Sequence, residues 1–334
     1  MTGSSIDFSQ TPVLSVIMAN YNGAKYLEAA VNSALSQTLH DIEVIVADDG
    51  STDNSLDILY AMQAEDRRLI VLPAQKNAGP GDARNRAIER ANGEWLAIVD
   101  ADDVMEPHRF AHLIACANVL GADFIADDQI CFSADNMADT NTLFQSHLMG
   151  LNMKLSPAVF VKSGDLGFMK PLIRADSLGD LRYRTDIRNG EDFDFYLKYL
   201  MSNAKAFLVN KPLYFYRRHS ASISHRWSVA DIRVMIKCND DISTSDAATR
   251  AALKIRRDRL ERALAFELLM TDIKARRRFS AAKRLCAKPF LFGPLARALR
   301  DKLWRSKTED AVTKIALQVV KNPRDADDKS IPQI

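Results

Sequence analysis

Leu96-Ala97-Ile98-Val99-Asp100-Ala101-Asp102-Asp103-Val104-Met105-Glu106-Pro107 sets four apolar residues directly before three carboxylates. The apolar run has the length of a buried strand, and the acidic residues fall where such a strand runs out at a sheet edge. Carboxylates so crowded repel one another, and a hard divalent cation with oxygen ligands relieves them. A polar turn after a strand accounts for the same residues without any ligand, since Asp is common in turns.

The pattern of apolar run and polar stop repeats upstream. Residues 13–19 read as a buried strand closed by the turn cluster Asn20-Tyr21-Asn22-Gly23. Leu27, Ala30, Val31, Ala34 and Leu35 then recur at helical spacing. Residues 42–47 are a second strand that again ends in carboxylates, Asp48-Asp49-Gly50-Ser51, and Ser51-Thr52-Asp53 offers caps for a helix carrying Leu56, Leu59 and Tyr60. Residues 69–72, a loop at Asn77-Ala78-Gly79-Pro80-Gly81, a helix over 83–91 and the strand 95–99 complete four alternations. Such alternation predicts an α/β fold with a mainly parallel sheet covered by helices on both faces. Ligands of these sheets collect beyond the carboxyl ends of the strands. That edge gathers Tyr21, Asp49, Arg84 and the acidic cluster into one crevice, with Arg86 as an alternative to Arg84. Asp49, aimed at a crevice, is expected to carry little packing.

With 334 residues and 47% hydrophobic content the chain can bury a substantial core. The net charge of +2, from 45 basic and 43 acidic residues, supplies no global field for nucleic acid. Cys116, Cys131, Cys238 and Cys286 form no C-x-x-C pair, which argues against a zinc site or a disulfide framework and for reduced thiols. The first ten residues hold no apolar signal core and no apolar run approaches a bilayer span, so the expected location is cytoplasmic. Neither a dinucleotide G-x-G-x-x-G nor a phosphate-loop motif follows the first strand.

Ser15-Val16-Ile17 with Ala19-Asn20-Tyr21-Asn22, Asp48-Asp49-Gly50-Ser51-Thr52-Asp53, Asn77-Ala78-Gly79 with Ala83-Arg84-Asn85, Asn92-Gly93-Glu94 and Val99-Asp100-Ala101-Asp102-Asp103 together resemble the ordered signature of family-2 glycosyltransferases, over roughly residues 12 to 225. The resemblance implies a Rossmann-like GT-A fold and a nucleotide-sugar donor, most often a UDP-sugar. It implies donor contacts from Ala19, Tyr21, Asp48, Asp49, Arg84, Asp100 and Ala101, with Tyr21 by the base and Asp49 on its edge. It also implies Mn2+ or Mg2+ on Asp102, with Asp100 beside it. An aromatic face and a carboxylate suit uracil, and a metal offsets diphosphate charge.

Downstream, Pro107 suits a helix start and Phe110, Leu113, Ile114, Ala117 and Leu120 form an apolar face. His108 and His112 lie four apart but lack a third ligand, so an exposed face is the preferred account. Residues 122–131 read as a strand, and 133–172 as a long acceptor-facing loop region. Glu191-Asp192 stands before a helix over 193–201, where the dipole favours ionised carboxylates and a plain acidic cap is the competing account. The resemblance implies that Asp192 is the base, with Glu191 supporting it. Two strands, 206–209 and 213–216, flank Asn210-Lys211-Pro212. Arg217-Arg218-His219-Ser220 resembles the family's closing segment, implying cations for the diphosphate and His219 as a metal ligand.

Beyond Trp227 strand signals give way to basic helices, which divides the chain into 1–227 and 228–334. The later region interleaves Phe290, Phe292 and Trp304 with Lys and Arg, as in peripheral contact with anionic membrane, although a helical hairpin on the catalytic domain or a contact with a second copy fits equally. The function expected is an inverting, metal-dependent transfer of a hexose to a saccharide or lipid-linked saccharide acceptor in bacterial exopolysaccharide synthesis. A nucleotidyltransferase that makes nucleotide-sugars and a non-catalytic binding scaffold are the alternatives.

Overall fold

The computed structural model describes residues 11–133, 142–144, 152–219 and 227–300. Its first half alternates as the apolar runs require: β1 (Leu14–Asn20), α1 (Ala24–Leu35), β2 (Ile42–Asp48), α2 (Ser55–Glu65), β3 (Leu69–Leu72), α3 (Pro80–Arg90) and β4 (Trp95–Asp100). β1 lies in parallel between β2 and β4, with Leu14 opposite Ile42 on one side and Trp95 on the other. Successive residues serve opposite faces. Ile17, Ile45 and Ile98 meet Ala83 and Ala87 of α3 in one core cluster, while Val16, Val44 and Val99 meet Leu27 and Val31 of α1 in the other. At the amino end of the strands, Gly93 approaches β1 so closely that a Cβ would stand 2.5 Å from the Ser15 nitrogen. Its N–H donates to the Ser15 hydroxyl, and Glu43 accepts from both Ser15 and the Asn92 N–H. The Asn92-Gly93 turn is therefore a structural joint at the edge opposite the crevice.

The second half adds β5 (Val104–Met105), α4 (Arg109–Leu120), β6 (Phe124–Phe132), β7 (Met153–Leu155), α5 (Pro157–Ser163), a 3-10 turn (Asp165–Phe168), β8 (Leu172–Arg174), α6 (Ala175–Leu178), α7 (Glu191–Met201) and β9 (Ala206–Arg217). Sheet order is β3-β2-β1-β4-β8-β6-β9-β5, with β7 beside β9. β8 runs antiparallel to both β4 and β6. Residues 133–172, expected to be an acceptor-facing loop region, contain β7, α5 and the 3-10 turn and end where β8 begins; the two strands, of three residues each, are too short to show a period. The two strands expected around Pro212 are one, because the register of β6 against β9 shifts at Asp128, opposite Pro212, and a bulge accepts proline.

The compact unit that holds the sheet runs to Leu260. The reason is burial: α8 (Val229–Asp240) buries Ile232 and Met235, and α9 (Ala247–Lys274) contributes Ala252 and Leu253 to the cluster that holds Phe193 and Phe195. The second unit, described by itself, begins at Glu261 and takes in α10 (Arg278–Ala287). There Ala265, Leu269, Ala281 and Leu291 form a small cluster, and Asp272 accepts ion pairs from Arg277 and Arg284. Residues 220–226, and with them Ser220, as well as Lys302, Trp304 and the C-terminal residues lie outside the described residues.

Candidate active site

Two turns at the carboxyl ends of β1 and β2 are stitched together. Asn22, in the left-handed region at φ 51°, accepts from the Thr52 N–H at 2.7 Å, and its own N–H donates to the Ser51 hydroxyl at 2.8 Å. Asp53 accepts from the Ala24 N–H at the start of α1. Asp48 is fully buried and accepts from Asn20, the Ser51 N–H and the Ser51 hydroxyl, so its carboxylate belongs to the turn. Ala19 pairs across β1 with Ala47 and Asp100. Tyr21 stands beside this floor, half exposed.

Asp49 departs from the expectation of little packing. Its two oxygens accept from the Ala78 and Gly79 N–H groups, each at 2.8 Å, and it is only 2% exposed. Removing the carboxylate strands two amides, a cost of about 1–3 kcal/mol. Asp49→Ala is therefore expected to lower Tm by a few degrees and to weaken UDP binding about tenfold or more, read by calorimetry. Unchanged UDP affinity alongside the lowered Tm would confine Asp49 to holding the loop.

Beyond β4 the ligand oxygens of Asp100, Asp102 and Asp103 lie within 4.8 Å of one another. Burial and the neighbouring Asp100 charge push the Asp102 carboxyl up, and burial with the charges of Asp102 and Asp100 pushes Asp103 well up. Asp102 lies 2.8 Å from Nε2 of His219, while its carbonyl accepts from Arg217 Nε at 2.7 Å. The Arg217 guanidinium is held between the Tyr26 and Phe132 rings. Ala101 follows β4 at partial exposure and Arg218 is exposed. Hard carboxylate oxygens beside an imidazole are a donor set that fits Mn2+ or Mg2+, and their mutual repulsion is what a cation would relieve.

Asp100 differs from its neighbours. Although burial opposes it, Lys170 and Arg84 hold its carboxyl below the usual range. Arg84 reaches Asp100 at 2.9 Å, Glu191 at 2.7 Å and Asp192 at 3.2 Å. Lys170 reaches Asp100 at 2.7 Å and Asp192 at 3.2 Å. Burial, then the Asp192 charge, raises Glu191. Gly190, at φ 86°, turns the chain so that α7 starts at Glu191 and presents both carboxylates to these cations. Arg86 is excluded from the cluster because it donates to the carbonyls of Leu72 and Asp48. His108 pairs with Glu106 and His112 with Cys116, so they share no ligand site.

Sequence reasoning overlooked Lys170, Arg109 and Tyr214. Lys170 interrupts the apolar run Phe168-Met169-Lys170-Pro171-Leu172-Ile173, and a lone cation in such a run is the signal that was available. Arg109 and Asp127 form a fully buried pair, and Tyr214 OH accepts from the Asp100 N–H at 3.2 Å.

Residues 15–178 match the model of the family described as Glycosyl transferase family 2. The chain is 33% identical over 267 residues to the succinoglycan biosynthesis protein ExoU of Rhizobium meliloti, covering 74% of this chain and 76% of that protein. It is 29% identical over 307 residues to ExoO, a succinoglycan biosynthesis protein of the same organism, covering 89% and 87%. The solved structure of S. aureus TarS in complex with UDP aligns with a TM-score of 0.57 at 21% identity, over 72% of this chain and 69% of that one. The mannosyltransferase PcManGT from Pyrobaculum calidifontis, in complex with GDP-Man and Mn2+, gives 0.57 at 18%, over 95% and 88%. The mainly parallel sheet with helices on both faces, shared with these structures, is the GT-A fold. The carboxylate crevice at the ends of its strands belongs to a glycosyltransferase, and the chain is a member of glycosyl transferase family 2.

Proposed function

We propose that the protein moves a hexose from a UDP-sugar to a saccharide or lipid-linked saccharide acceptor, with inversion, in exopolysaccharide synthesis on the cytoplasmic side of the membrane. The observation that carries the reading is that one pair of cations, Arg84 and Lys170, touches both Asp100 and Asp192, so the base candidate shares a crevice with the acidic cluster. Tyr21 and Asp49 form the base end of that crevice. Asp102 and His219, with Asp100 and Asp103 adjacent, would hold a divalent ion, which when bound supplies charge stabilisation to the diphosphate. Asp192 takes the acceptor hydroxyl proton as the oxygen attacks the anomeric carbon. Arg84 and Lys170 hold Asp192 in place, while Arg217 and Arg218 face the departing charge. A direct displacement inverts the anomeric centre. The relatives named for succinoglycan biosynthesis support the exopolysaccharide setting.

A mass-spectrometric screen of UDP-glucose, UDP-galactose, UDP-GlcNAc and GDP-mannose with saccharide acceptors, with and without Mn2+, tests this reading. Metal-dependent consumption of a UDP-sugar is expected. Formation of a nucleotide-sugar from a nucleoside triphosphate and a sugar phosphate instead would favour the nucleotidyltransferase alternative.

Residues 261–300, with ten basic residues against three acidic ones, are the proposed membrane contact. Phe279, Phe290 and Phe292 are exposed there, and Arg262 and Arg297 line a groove with Phe266, Phe290 and Pro294. No helix among the described residues is long and apolar enough to cross a membrane. Cosedimentation with phosphatidylglycerol vesicles is expected at low salt, weakening as salt screens the attraction. Binding equal to wild type in a Phe290→Ser, Phe292→Ser variant would remove this face from membrane contact.

A further inference from the structure

We propose that Lys170 is the positioning residue for Asp192, a fixed cation that sets the base in place relative to Asp100 and the acidic cluster. The inference rests on the reading of Asp192 as the base. Lysine is almost never buried without a partner, yet Lys170 is 3% exposed and spends its charge on two carboxylates, Asp100 and Asp192.

The backbone around Lys170 is anchored from three elements. Its carbonyl accepts from the guanidinium of Arg109 on α4, which is itself held bidentately by the fully buried Asp127 of β6. The Pro171 carbonyl accepts from the Ile98 N–H of β4 at 3.0 Å, and the Phe168 carbonyl from Gln129 Nε2 of β6 at 3.0 Å. The backbone that carries the ammonium is thus tied to the sheet.

Arg84 already gives Asp100 and Asp192 one cation each from α3. A carboxylate held by a single cation pivots about it. Two cations brought in by different elements fix its orientation as well as its distance, and orientation is what a base needs when its proton arrives only in the transition state. Stability is a poor reason for the arrangement, because desolvating buried ions offsets most of their attraction.

The test uses the full chain with Mn2+ and whichever of UDP-glucose, UDP-galactose or UDP-GlcNAc it turns over, with UDP as the binding probe. Lys170→Met is expected to lower kcat about a hundredfold while KM for the donor and Kd for UDP stay within about threefold. In Lys170→Ala, ethylammonium is expected to restore about tenfold of the lost kcat, an effect that support of the fold alone would not produce. Should Lys170→Met fail to fold, Lys170→Arg keeps the charge but replaces a point cation with a planar fork, and kcat is expected to fall about tenfold at unchanged UDP affinity. A folded variant with kcat near wild type, or one in which UDP affinity and kcat fall together without amine rescue, overturns the proposal. Asp192→Asn run in parallel separates the two readings: full turnover there removes the base, whereas its loss beside a fully active Lys170→Met removes only the role of Lys170.

Discussion

Asp192→Asn is expected to lower kcat by about three orders of magnitude while KM for the donor changes little, because a general base contributes about 10²–10⁴-fold and acts only as the acceptor proton moves. The asparagine is nearly isosteric, and it leaves the Arg84 contacts to Asp100 and Glu191 in place. The proposed donor end of the crevice, at Tyr21 and Asp49, is not touched by the change. Nuclear magnetic resonance of the wild-type product is expected to show a β-linkage from an α-linked donor. A retained α-linkage, or an Asp192→Asn enzyme with near-normal turnover, would remove Asp192 from the role of base.

Asp102→Asn carries the second large effect. Loss of one ligand charge beside His219 is expected to reduce turnover by about a thousandfold and to abolish the Mn2+ dependence of UDP binding, with the wild-type enzyme equally inactive in excess chelator. Stability should move the other way. A carboxyl whose folded pKa is raised costs stability above that pKa, and the cost vanishes as pH falls through it. Burial and Asp100 raise Asp102, so removing its charge relieves the cluster and Tm is expected not to fall. The same shift makes protons competitors for the cation: as pH falls, apparent Mn2+ affinity should begin to weaken at a higher pH than it would at an unperturbed carboxylate. Turnover that persists in chelator would sink the metal reading, and a large drop in Tm would assign Asp102 to the fold.

The alternation of strands and helices was legible because β1, β2 and β4 are buried on both faces and read as continuous apolar runs. The carboxyl-edge rule then brought Tyr21, Asp49, Arg84 and the acidic cluster to one side from residue types alone. Partnerships were not legible. Arg84 and Glu191 lie 107 positions apart, and no local pattern states that a helix arginine will bridge them. Lys170 was hidden for a topological reason: β8 is antiparallel to β4, so its entry, rather than its exit, lies at the ligand edge. A search confined to residues after strands passes over it. Asp49 was misjudged because a carboxylate at a strand end looks free until the loop that donates to it is folded above it.

The stitched turns after β1 and β2 bear on the thermodynamics of nucleotide capture. Asn22, Ser51, Thr52 and Asp53 cross-link two loops through backbone N–H groups, so their conformational entropy is lost when the chain folds, before any ligand arrives. If the nucleobase binds there as proposed, it meets a pre-built shelf, and less loop ordering opposes association. Affinity at that end then follows surface complementarity. The heat-capacity change on binding reports the apolar area covered by the base rather than coupled folding.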